Sequence, residues 1–96
     1  MKSNRRFLFP LGRTLMTLGA RELMHRTGTQ PFQLLLRHQC GDWGVPDAED
    51  RATNDRAVIE GARVLSVYEL GDSREKIWII TEADRGATTA LLPSEY

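Results

Sequence analysis

Few residues in this chain have the types and spacing that chemistry needs. Thr81-Glu82-Ala83-Asp84-Arg85 sets two carboxylates beside a guanidinium, a grouping that acid–base work or metal binding can use. The same string suits a plain turn, with Asp84 bonding its own backbone and Arg85 pairing with a nearby acid. Nothing elsewhere completes a catalytic set, so the turn is the expectation. Cys40 with His38 or His25 offers a thiol–imidazole pair. Cys40, however, falls on the expected apolar stripe of its helix, where a free cysteine acts as a small hydrophobe. His38 lies two residues away and is turned to another side.

Trp43, in Gly41-Asp42-Trp43-Gly44, has two uses. It can be a hot spot for a partner, or it can plug its loop onto the core with the indole N–H bonded to a carbonyl. Arg5, Arg6, Arg13, Arg21 and Arg26 are able to meet phosphates. No aromatic interleaving or helix-turn-helix pattern accompanies them, so a solvated face is expected and nucleic acid is not the favoured partner. Cys40 is the single cysteine and there are two histidines, too few ligands for a structural zinc site within one chain. Neither G-x-G-x-x-G nor G-x-x-x-x-G-K-S/T occurs. No metal, cofactor or enzymatic activity is expected.

These residues need elements to hold them. Arg13 to Met16 reads as a short strand after a turn at Pro10 and Gly12. Thr17 caps a helix over 18–27, with Ala20, Leu23, Met24 and Thr27 inward and Gly28 at the end. Pro31 opens a second helix with Phe32, Leu35, Leu36 and Cys40 as its buried stripe. Asp47 caps a third over 48–60, where Asp50, three positions on, suits the first turn. Its inner stripe would be Ala48, Ala52 and Ile59, with Asp55 or Val58. Residues 63–70, 76–82 and 87–92 alternate with turns and read as an antiparallel meander. The middle strand is apolar on both faces, Ile77 and Ile79 against Trp78 and Ile80. A one-sided sheet would alternate with polar residues, so the N-terminal segment or a second subunit is expected on the face that helices leave open. The predicted fold class is α+β: three helices on an antiparallel sheet of three or four strands. Residues 1–6 form a flexible basic tail and 7–96 a single domain.

The chain has 96 residues, with 13 Lys+Arg against 13 Asp+Glu. That length supports one core and no second domain. Zero net charge argues against a wholly basic nucleic-acid binder and against a uniformly acidic DNA mimic. The zero is composite. Residues 1–45 hold seven Lys/Arg and two acids, net +5, and residues 46–96 hold six and eleven, net −5. No run approaches the ~18 apolar residues of a membrane span. The basic start and Phe7-Leu8-Phe9 are broken by Pro10 without a cleavage site, so a cytoplasmic protein without a membrane partner is expected.

Gly41-Asp42-Trp43-Gly44, Asp47-Ala48-Glu49-Asp50 with Asn54, Thr81 to Arg85, Thr88-Thr89, and Leu91-Leu92-Pro93-Ser94-Glu95-Tyr96 together resemble a family of small proteins carried on bacterial plasmids and other mobile elements. The resemblance spans residues 13–96. Some members carry a label tying them to type I restriction–modification methylase subunits, although this chain has no methyltransferase cofactor loop. Gly86 stands where the family pattern has serine. The resemblance implies context rather than catalytic residues. Small mobile-element proteins without enzymatic motifs often bind and block host defences, as anti-CRISPR and antirestriction proteins do. A protein partner, a CRISPR or restriction complex, is therefore the expectation, met through Trp43, Glu49, Asp50, Glu82, Asp84 and Arg85. The alternatives are a DNA-associated accessory factor and a homodimeric scaffold.

Overall fold

The computed structural model describes residues 6–96. The expected tail lies outside the described residues except for exposed Arg6. Strand β1 is Arg13–Met16. Helices α1 (Leu18–Arg26), α2 (Pro31–Gln39) and α3 (Ala48–Glu60) follow. Strands β2 (Val64–Leu70), β3 (Glu75–Thr81) and β4 (Ala87–Leu91) complete a four-stranded sheet of order β1-β4-β3-β2.

The α+β class and the C-terminal meander are as predicted. The sheet, however, is mixed, because β1 pairs parallel with β4 while β4, β3 and β2 pair antiparallel. A parallel neighbour needs a long connection, and β1 has one through the three helices.

The capping residues fold α1 as expected. Thr17 is extended and its Oγ1 accepts from the Ala20 amide at 3.1 Å, which satisfies an amide with no intrahelical partner. Ala20, Leu23 and Met24 are buried. In α2 the stripe differs from expectation. Leu34 and His38 are buried, Leu35 and Leu36 are half-buried, Phe32 is exposed, and Cys40 is the half-buried C-cap. A polar side chain, His38, has taken the inward position because it has buried partners there. In α3 the inward residues are Asn54 and Ala57, with Val58 half-buried, while Ile59 of the expected stripe is 85% exposed. Again a polar residue sets the helix rotation.

Register and strand alternation sort the sheet into two faces. Val64, Ser66, Tyr68, Ile77, Ile79, Thr81, Thr88 and Ala90 share the face under α1 and α2. Tyr68, Ile77, Ile79 and Ala90 there join Ala20, Leu23, Met24 and Leu34 in one core. Leu15, Leu65, Val67, Trp78, Ile80 and Leu91 share the other face. Among the described residues, the N-terminal segment does not cover that second face. Phe9 instead packs with Trp43, Ala57 and Val64 on the helix side. What reaches the second face is Tyr96, whose ring meets Trp78 edge-on at 5.4 Å, with the Arg63 guanidinium 5.3 Å from the Tyr96 ring centre.

The outer edge of β2 is closed by groups that imitate a strand. Asn54 donates from Nδ2 to the Leu65 carbonyl at 2.7 Å and accepts the Leu65 amide on Oδ1 at 3.0 Å. One step along, the Val67 amide donates to the Trp43 carbonyl and its carbonyl accepts from the Val45 amide. Gly44 makes this approach possible. Its φ is +87°, and a Cβ there would collide with the Val67 carbonyl oxygen. Gly28 is the natural control, with φ +68° and nothing within 4 Å of the place a Cβ would take. Gly44→Ala is expected to cost about 3 kcal/mol or more through collision plus strain, and Gly28→Ala about 1 kcal/mol through strain alone. Chemical denaturation of the two variants measures the difference, and equal losses would contradict the close approach at Gly44.

Candidate functional site

The densest polar chemistry lies inside the molecule. His38 Nδ1 is 2.6 Å from Ser66 Oγ, and His38 Nε2 is 2.8 Å from Thr81 Oγ1. Thr81 Oγ1 is 2.6 Å from Thr88 Oγ1, which is 2.7 Å from the Leu11 carbonyl oxygen. All four side chains are inaccessible to solvent. One hydrogen arrangement satisfies the whole chain. A carbonyl only accepts, so Thr88 donates to Leu11. Thr81 must then donate to Thr88, which leaves its oxygen to accept from His38 Nε2–H. Nδ1 therefore carries no proton and accepts from Ser66. The imidazole is neutral, with its tautomer set by a hydroxyl relay.

Burial, and secondarily the Arg85 charge, push the His38 pKa down to about 3. The ring is closed in by Phe9, edge-on at 5.2 Å, and by Trp43, edge-on at 5.9 Å. A serine beside a neutral histidine resembles a nucleophile–base pair, but here the serine is sealed under the sheet face and its proton is committed to a structural bond. The relay is a device of the fold.

The six contact residues expected from sequence fall into three groups. Trp43 is withdrawn from the surface: it is 3% exposed, and its indole N–H donates to Asp55 Oδ1 at 3.0 Å. The plug reading holds, with a carboxylate in place of a carbonyl as acceptor. Arg85 is half-buried and already occupied. At φ +60° it directs its guanidinium to the Ala62 carbonyl at 2.6 Å and the Ala57 carbonyl at 3.1 Å. The Ala57 carbonyl, which also accepts from the Gly61 and Ala62 amides, and the Ala62 carbonyl lie at and just past the C-terminal end of α3, where a cation suits the helix dipole. Arg85 therefore docks α3 onto the β3–β4 turn instead of pairing with an acid.

The remaining four are exposed carboxylates. Glu49 and Asp50 lie in the first turn of α3, where Asp47 accepts the Asp50 amide at 2.8 Å. Glu82 and Asp84 lie in the β3–β4 turn, where Asp84 accepts the Gly86 amide at 2.8 Å. Because Arg85 ties that turn to the far end of α3, the two acidic pairs are separated by most of a helix about 20 Å long. They form two patches and not one site. Among the described residues no group of three or more His, Cys, Asp or Glu is placed to hold a metal ion.

Sequence reasoning missed Asn54 and the His38–Ser66–Thr81–Thr88 set as structural centres. The signal available was a polar residue recurring on the helix-facing parity of consecutive strands, Ser66, Thr81 and Thr88. The surface also carries an open groove of about 830 Å³ beside β1 and α1, lined by Met16, Leu18, Met24 and Pro31 among others.

The relay makes stability depend on pH with a definite sign. His38 has a folded pKa near 3 and an unfolded value near 6.5, so between these the unfolded state binds the extra proton. Stability is full above the unfolded value and falls as pH drops toward the folded one. From pH 6.5 to 4.5 the loss due to this group is about 2 kcal/mol. This window lies above the range in which Asp42 and Glu95, both held below their ordinary values by hydrogen bonds, add their own acid sensitivity. His38→Gln keeps one donor and one acceptor without the titration. Urea melts at both pH values are expected to show a smaller pH effect in that variant, and an unchanged effect would remove His38 as its source.

Compared with protein-family models, curated proteins and solved structures, the chain matches none.

Proposed function

We propose that this chain is a cytoplasmic protein-binding module of a mobile genetic element, without catalytic activity, that inhibits a host defence complex of the CRISPR or restriction type. It would do so by offering carboxylates to an arginine-lined groove that the complex uses for nucleic acid. The observation carrying this reading is the acidic β3–β4 turn. Glu82 and Asp84 project from a turn braced from below by Arg85, and braced charges lose little freedom on binding. Glu49 and Asp50 add a second acidic contact at the other end of α3. Complementary charge of this kind raises association rates and selects partners. The DNA-associated alternative has less support, because Arg26, one of its candidate phosphate contacts, is paired with Glu75 at 2.8 Å, closer than the 3.8 Å between Glu82 and Arg63.

Purified protein is expected to co-elute with, and block DNA binding by, at least one complex in a broad panel of CRISPR and restriction systems. Glu82→Lys with Asp84→Lys should weaken that binding at least tenfold, since each reversed contact costs about 1 kcal/mol or more. Inactivity against the whole panel overturns the proposal. Direct DNA binding that falls steeply with salt would replace it with the accessory-factor reading.

A further inference from the structure

The two edges of the sheet are treated differently, and the difference points to a partner. The β2 edge is closed by Asn54 and the Gly44 loop. At the other edge, β1 turns alternate residues toward β4. The Arg13 amide donates to the Gly86 carbonyl and the Thr17 amide to the Ala90 carbonyl, each at 3.0 Å, and the register places Leu15 between them in the same sense. Thr14 and Met16 consequently direct their amides and carbonyls outward, and among the described residues neither has a hydrogen-bond partner on that side. All four residues of β1 are exposed. Around them lie exposed apolar side chains, Leu15 at 44%, Met16 at 42% and Leu18 at 81%.

Two outward residues flanking one inward residue form a self-complementary set. Pair β1 antiparallel with a second β1 about a two-fold axis through Leu15. Thr14 then faces Met16 of the second copy, and Met16 faces its Thr14. Each of these two pairs exchanges two backbone hydrogen bonds, and the two Leu15 side chains meet as the closer, non-hydrogen-bonded pair. The same register sets Arg13 opposite Thr17 of the second copy. Thr17 Oγ1 donates to Glu95 Oε1 at 2.5 Å, so an exposed carboxylate waits beside that position. Arg13 makes no ion pair among the described residues of its own chain. A closed two-fold contact of this kind ends with two copies.

We propose that β1 is the interface of a homodimer, in which antiparallel β1 pairing centred on Leu15 joins two sheets into one of eight strands, with Arg13 facing Glu95 across each end. This inference stands apart from the acidic-surface reading, and either can fail without the other.

The test uses the full chain. Sedimentation equilibrium at about 100 µM should give twice the 10.9 kDa chain mass. Met16→Pro removes an amide that the chain's own fold does not use, so it should leave a folded monomer by circular dichroism. In a Cys40→Ser background, Leu15→Cys should form an intermolecular disulfide under mild oxidation, since cysteines at the two-fold meet their own copies. Met16→Cys, which faces Thr14 of the second copy, should not. A monomeric wild-type chain overturns the proposal and is the result expected if this edge takes an extended segment of another protein. A dimer that survives Met16→Pro, or that cross-links through position 16 and not 15, overturns it equally.

Discussion

The arrangement of this fold depends on a neutral imidazole that cannot be left without partners. An unpaired polar group in an apolar interior costs several kcal/mol, so His38 is tolerated only where both ring nitrogens are met. Its partners come from separate segments: Ser66 on β2, Thr81 on β3, and through Thr81 and Thr88 on β4 the carbonyl of Leu11 before β1. The relay thus spans the sheet and ties α2 to it. It also sets register. Thr81 opposes Thr88, and Val64 opposes Thr81; a slip of one residue would turn each hydroxyl to the opposite face and strand the imidazole. Apolar contacts would accept several registers of a sheet so rich in isoleucine and leucine, and a directed chain of hydrogen bonds accepts one.

Charged side chains perform a related service at the helix ends. Arg85, from the β3–β4 turn, meets the carbonyls at the C-terminal end of α3. Glu95, from the 3₁₀ turn Pro93–Glu95, accepts from Thr17 Oγ1 and from the Gly19 amide at the N-terminal end of α1. Each sign matches the end of the helix dipole it meets. Helices of 9 and 13 residues are short enough to be marginal alone, and both take a terminal cap from a segment distant in sequence. Local helix formation is therefore coupled to completion of the sheet. The Asn54 amide extends the pattern to the β2 edge, where a side chain replaces the missing strand.

Much of the architecture is readable from the chain because it follows local rules. Thr17, Asp47, Gly28 and Gly61 punctuate the helices where capping chemistry places them, and the three meander strands lie between turns rich in Gly, Asp and Ser. The parallel pairing of β1 is not readable, since it joins residues more than 70 positions apart and has no local signature. The inward faces of α2 and α3 depart from expectation for a single reason. An apolar-stripe reading assigns polar residues to solvent, and here His38 and Asn54 face inward because distant backbone and hydroxyl groups await them. The same reasoning explains Arg85. Its carbonyl partners exist only after α3 has packed against the turn, so its sequence neighbourhood shows two acids and conceals its actual ligands.

The charge split also maps onto the elements of the fold. The basic half of the chain supplies β1, α1 and α2, and the acidic half supplies α3 and the meander. Within the described residues, Arg26 with Glu75 is the one ion pair that joins the halves; Arg37–Asp42 and Arg63–Glu82 stay within one half each. Ion pairing across the fold therefore neutralises one charge of each half. The neutral sum conceals a split between the residues that build β1, α1 and α2 and those that build α3 and the meander. Exposed charged patches steer a partner of opposite charge before contact. A basic groove would draw in either acidic patch, Glu49 with Asp50 or Glu82 with Asp84, and at each the backbone is already held, by the Asp47 cap at one and by Arg85 and the Asp84 turn at the other. Charge and rigidity thus coincide at both patches, while the histidine relay remains sealed in the interior.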